Sequence, residues 1–230
     1  MKNQYFGDNK DLFNYDLVQE IMSAGLVEHL TFIPMLTPDD NKGHGNKYNR
    51  SRARAGFKNT DLMSFLDQCI ENDNRDIRQL ERYFAKHGVK MTSYAKDAFF
   101  THKNRKQYFA QIGDALLRKS LAFVDPDIGL EVKNPGKEHL LFSDIKDLYE
   151  RMDAGSILML AQHFPRVNQV EYMNSRSTEL KEKVSGDFPV CIDDGEIIFF
   201  FLTKDHDLSH KLVGLAGEYA ERYARQQRTL

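Results

Sequence analysis

Helix-like and strand-like stretches alternate along the whole chain. Over residues 14–24, Leu17, Val18, Ile21 and Met22 recur at the helical period and Gly25 offers a left-handed terminus, so a first helix is predicted there. A strand over about 29–36 follows, closed by the turn Thr37-Pro38-Asp39-Asp40. Residues 60–71 and about 75–87 read as a helical hairpin ended by Gly88, with a short strand over 89–94 behind it. The pattern then gives a helix over 104–119, a buried strand over 121–124, a helix over 143–153, a buried strand over 156–162 and a helix from 167 to about 184. Two apolar runs, 188–192 and 197–203, flank Asp193-Asp194-Gly195, a hairpin signal because glycine tolerates positive φ. An amphipathic helix over about 208–226 closes the sequence.

Such alternation predicts an α/β fold: a Rossmann-like, mostly parallel sheet with helices on both faces and a C-terminal antiparallel hairpin. With 230 residues, 41% of them hydrophobic, one core is expected, hence a single domain over 1–230 carrying a basic loop and the helical hairpin as an insertion at about 41–88. No apolar run approaches the roughly 20 residues of a membrane-spanning helix. The start of the chain lacks the apolar stretch of a secretory signal, and the two cysteines, Cys69 and Cys191, form no metal-binding spacing. A cytoplasmic protein is therefore expected.

Lys and Arg total 32 against 34 Asp and Glu, so the molecule as a whole is not a polycation and any anion site must be local. One local excess exists. Residues 42–58 hold Lys42, Lys47, Arg50, Arg52, Arg54 and Lys58 with no acidic residue, beside His44, Tyr48 and Phe57. Cations interleaved with aromatic rings suit a nucleotide or nucleic acid, so His44, Lys47 and Arg50 are candidate phosphate contacts; a solvated charge run is the other reading. The glycines of Gly43-His44-Gly45-Asn46-Lys47 do not make a P-loop, because the GxxxxGK[ST] frame is missing.

Three predicted strands run into polar residues: Thr37-Pro38-Asp39-Asp40, Asp125-Pro126-Asp127 and Gln162-His163-Phe164-Pro165-Arg166. In an open parallel sheet ligands bind beyond the carboxyl ends of strands, so adjacency of these three would gather the clusters at one rim. Carboxylates crowded into 125–131 repel one another unless protonated, hydrogen-bonded or bridged by a hard cation. Asp125 and Asp127, with Asp39 or Asp40, are thus candidate ligands for Mg²⁺ or Mn²⁺, while capping and turn roles are the bland alternative. Glu131-Val132-Lys133 has the Glu-x-Lys pattern of metal-dependent nucleases, which makes Glu131 a catalytic candidate and leaves Lys133 more naturally a surface residue. His163 has the chemistry of a general acid or base, and Arg166 that of a phosphate fork. Asp8, in Tyr5-Phe6-Gly7-Asp8, is a lesser candidate for the acidic group.

Those blocks, Tyr5-Phe6-Gly7-Asp8, Thr37-Pro38-Asp39-Asp40, Asp125-Pro126-Asp127-x-Gly129-Leu130-Glu131 and Gln162-His163-Phe164-Pro165-Arg166, resemble a group of bacterial and phage proteins that carry them in the same order and have no assigned activity. The resemblance implies one shared site and names no substrate. A looser similarity is to class I methyltransferases, whose sheet also ends in a hairpin and whose fourth strand often enters an Asp-Pro-Pro-Tyr-type sequence. Where those enzymes carry a glycine-rich loop for S-adenosylmethionine, this chain has Met35-Leu36-Thr37-Pro38. The leading expectation is a divalent-metal-dependent hydrolase or nuclease acting on a nucleotide or nucleic acid. A methyltransferase-like enzyme of nucleic acid and a non-catalytic binding module on that scaffold are the alternatives.

Overall fold

The computed structural model describes residues 1–40, 48–136 and 138–223. Its centre is a six-stranded sheet. The four strands β1 (His29–Pro34), β2 (Met91–Ser93), β3 (Ser120–Asp125) and β6 (Ile157–His163) run parallel. β8 (Ile197–Leu202) pairs antiparallel with β6, and β7 (Val190–Asp193) pairs antiparallel with β8 at the edge, giving the order β2-β1-β3-β6-β8-β7. A separate two-residue ladder joins β4 (Gly129–Leu130) to β5 (His139–Leu140). An α/β fold with a mostly parallel sheet is thus what the alternating pattern builds. Among the described residues no helix is long and apolar enough to cross a membrane.

Central strands are buried on both faces, which is why they read as unbroken apolar runs. Side chains of a strand alternate between faces, and β3 divides accordingly. Leu121 and Phe123 enter one core with Phe32 and Phe199, whereas Ala122 and Val124 enter the other with Ile33 and Phe200. The first core is covered by α1 (Asn9–Ser23), α2 (Thr60–Glu71), α3 (Gln79–Lys86) and α7 (His206–Tyr223). The second is covered by α4 (Arg105–Ala110), α5 (Phe142–Arg151) and α6 (Gln169–Leu180). Leu62, Leu66, Leu80 and Phe84 of the predicted helical hairpin belong to the same cluster as Phe32 and Phe123, so this segment packs into the sheet's own core.

Two boundaries depart from the periodicity. The first helix begins at Asn9, five positions earlier than predicted, because Asp8 caps it by accepting from the backbone N–H of Lys10 (2.8 Å) and Asp11 (3.0 Å). The helix predicted over 104–119 is broken: α4 ends at Ala110, Gly113 is extended, and only a 3₁₀ turn, Asp114–Leu116, follows. Glycine inside a helix costs about 1 kcal/mol, and here the Arg151 guanidinium takes the freed carbonyls of Phe109 and Ile112.

Candidate functional site

Register fixes the rim. Pro34 of β1 stands opposite Asp125 of β3, and Val124 stands opposite Leu160 of β6, so the carboxyl ends of the three strands lie side by side. Beyond them opens a cleft of about 270 Å³. Asp8, Asp11 and Asn14 from the cap and first turns of α1 line it together with Asp125, Asp127 and His163 from the strand ends. Three of the predicted residues, Asp125, Asp127 and His163, therefore share a cleft, and Asp8 joins them.

The acidic turn of α1 is held in place by arginines. Gly7 has φ +91°, and its N–H donates to Asp11 Oδ2 at 2.8 Å. Arg75 Nε donates to the Phe6 carbonyl (2.9 Å), and Arg50 donates to the Gly7 carbonyl (2.8 Å), to Asn9 Oδ1 (3.1 Å) and to Asp67 Oδ1 (2.9 Å). Arg50, predicted as a phosphate contact, is thus a strut beneath Asp8, with its guanidinium spent on protein acceptors.

Next to the strand ends, Gly129 at φ +122° leaves room for Gln162. Its Oε1 accepts from Leu130 N–H at 2.6 Å, and its Nε2 donates to the His163 carbonyl at 2.6 Å. A Cβ on Gly129 would stand 2.5 Å from Gln162 Oε1. His163 Nδ1 lies 3.4 Å from Lys10 Nζ at the half-buried mouth of the cleft.

Burial governs the charges. Asp125 is pushed up to about 6 by desolvation, against the pull of the Met1 ammonium and Lys10 and with the push of Asp127 and Asp8. Asp11 is raised well above the usual carboxylate range by burial and by Asp8, and Asp8 is raised by burial against the backbone N–H groups it caps and the nearby Lys10. Asp127 moves the other way. Although burial alone would raise it, the Met1 ammonium 3.4 Å away, Lys2 and the Thr37 hydroxyl (2.9 Å) hold it low.

The predicted cation set is not assembled. Asp127 is occupied by those ammonium groups, Asp39 Oδ1 accepts from Gln4 N–H (3.0 Å), and Asp40 Oδ1 accepts from Gln4 Nε2 (2.8 Å) and Tyr5 Oη (3.3 Å). Among the described residues no three of His, Cys, Asp and Glu are grouped to hold a metal ion. Nor is Glu131 part of the cleft: its Oε2 accepts from Phe142 N–H at 2.8 Å and caps α5. Arg166 is exposed in the turn before α6 and does not line the cleft. His44 and Lys47 lie outside the described residues. The glycine-loop position of an S-adenosylmethionine site is filled by the amino-terminal segment, with Thr37 N–H donating to the Met1 carbonyl at 2.9 Å. These residues therefore do not fit that cofactor at the end of β1.

Asp11, Asn14 and Lys10 escaped the periodicity. Asp8 followed three residues later by Asp11 is a cap-like spacing, and reading the helix from that cap would have put both acids on its first turn. Comparison of the chain with family models, with curated proteins and with solved structures gives no match in any of the three.

Proposed function

We propose that the protein is a Rossmann-like hydrolase that works by general acid–base chemistry in the rim cleft, on a phosphate ester or anhydride of a nucleotide or nucleic acid. The observation that carries this reading is Asp125, buried at the end of a central strand with its carboxyl raised to about 6. A carboxyl tuned toward neutral pH suits proton transfer to and from water. Half-buried Lys10, with Nζ 3.4 Å from His163 Nδ1, lines the same cleft, where its positive charge would favour the anionic part of a substrate. In this reading Asp125 accepts the proton of the attacking water, Lys10 stabilises developing negative charge, and His163 returns a proton to the leaving oxygen.

Asp125→Asn should lower turnover of nucleotide or oligonucleotide phosphoesters by at least a hundredfold, measured by phosphate release with Mg²⁺, with Mn²⁺ and with chelator. An Asp125→Asn protein as active as the parent would remove the proposal, and loss of activity in chelator alone would return the cation to it. One specific observation favours a second reading. An antiparallel strand wedged between β6 and β7 is the sheet ending that resembles class I methyltransferases, which place an Asp-Pro sequence where Asp125-Pro126 stands. Calorimetric binding of S-adenosylmethionine, in the face of the filled β1 position, would favour that reading.

A further inference from the structure

The buried half of the cleft is rich in acceptors. Asp8, Asp11 and Asp125 bring three carboxyl groups to it, all at most 8% exposed. Asn14, 3% exposed, lines the same cleft from the next turn of α1. Its Nδ2 donates to Asp11 Oδ1 at 3.4 Å, while its buried Oδ1 has no hydrogen-bond partner among the described residues. An amide oxygen in that state is costly, and carboxylates so close repel. Both penalties are relieved by the same thing, a group that brings several N–H donors.

Resting on the cleft being the catalytic site, we propose that its inner end recognises an amidine-type group. This means two N–H donors on one carbon, as in a guanidinium, an amidinium or the N–H edge of guanine. A planar fork of donors matches a carboxylate in bidentate fashion, and Asn14 Oδ1 supplies the further acceptor such a group needs. A bare divalent ion fits less well. The geometry offers it no cage, because no three metal-binding side chains are grouped among the described residues. The polarity along the cleft also sets direction: the donor-bearing end of the substrate lies inward on Asp11 and Asn14, and its anionic end toward Asp125, Lys10 and His163.

The test is calorimetric titration of the full chain with benzamidinium and with butylguanidinium, using butyrate as control, and with guanosine against inosine, which lacks the exocyclic amine. Saturable binding of benzamidinium or guanosine is expected, weakened about tenfold or more by Asp11→Asn and by Asn14→Leu. Guanosine bound in preference to inosine assigns the group to a nucleobase, and benzamidinium and butylguanidinium bound without guanosine assign it to a free amidine or guanidine. Asn14→Asp keeps size and acceptor, so it should retain binding even if Asn14→Leu fails to fold. No saturable binding of any of these probes, binding indifferent to both Asp11→Asn and Asn14→Leu, or saturation by Mn²⁺ alone would overturn the proposal. Because binding is read without turnover, its failure leaves the hydrolase reading standing, and a bound but never hydrolysed phosphate ester would do the reverse.

Discussion

Asp125 shows what a single buried side chain costs and supplies. Its folded-state pKa of about 6 lies above the roughly 3.9 of an unfolded chain. Between those values the folded protein binds the proton that the unfolded chain has lost, so stability from this group is full below about pH 4 and falls as pH rises through about 6. At about pH 7.5 the penalty is of order 2–3 kcal/mol. Asp125→Asn should therefore raise the urea midpoint at neutral pH while removing activity, and the gain should vanish near pH 4. Activity of the parent should rise with pH through about 6, as the base becomes ionised. A stabilised variant that kept its activity would mean the burial serves packing alone. The same scale explains Arg50. Sequence offered it as a free cation, but its donors close on Gly7, Asn9 and Asp67, contacts that depend on a turn folded 43 positions away.

Among the elements, the two-residue strand β4 matters beyond its size. Gly129 takes a backbone conformation that side chains rarely adopt and lies against Gln162, which in turn holds the carbonyl of His163. Gly129→Ala adds both strain and a clash, so a loss of roughly 2 kcal/mol or more is expected in chemical denaturation. Gln162→Ala by itself orphans the buried Leu130 N–H, so measured against that variant the double variant should lose only about 1 kcal/mol more, the backbone part. Equal stability of Gly129→Ala and the parent would contradict this account. Helix α1 makes the complementary point: its first turn is set by Asp8, which caps it, and by Asp11, and both residues also line the cleft. Period-based reading weighs apolar spacing and so skips a polar turn.

Across the whole molecule, α1 and α7 are locked together beneath the sheet by one buried acid. Asp16 accepts from Tyr219 Oη at 2.6 Å, from Tyr223 Oη at 2.8 Å and, through its other oxygen, from Asn59 Nδ2 at 2.9 Å. Removing it strands two buried hydroxyls, those of Tyr219 and Tyr223, whereas Asn59 Nδ2 keeps Gln19 Oε1 at 3.1 Å. Asp16→Leu should cost about 3–5 kcal/mol, and Asp16→Asn, which keeps an acceptor, appreciably less. Urea denaturation distinguishes them, and a loss under about 1 kcal/mol for the leucine variant would show that α7 is held by its apolar face and the Arg222–Glu20 ion pair without Asp16. Because α1 also carries Asp8, Asp11 and Asn14, loosening this lock is expected to blur the cleft before the sheet itself gives way.

Alternating apolar periods determined by themselves that helices and buried strands take turns, because side-chain spacing is a local property: β3, β6, β8 and α2 stand close to where their patterns put them. The strand-end position of Asp125 and His163 was legible for the same reason. What only the tertiary structure decided is neighbourhood. Strand order placed β3 between β1 and β6, and the amino-terminal turn carried Asp11 and Asn14 to Asp125, more than a hundred positions away. It also gave Asp127 to Lys2, Glu131 to α5 and Arg166 to solvent. A charge's role depends on which opposite charge, hydrogen-bond donor or volume of water it meets, and those partners come from chain segments that no local pattern connects.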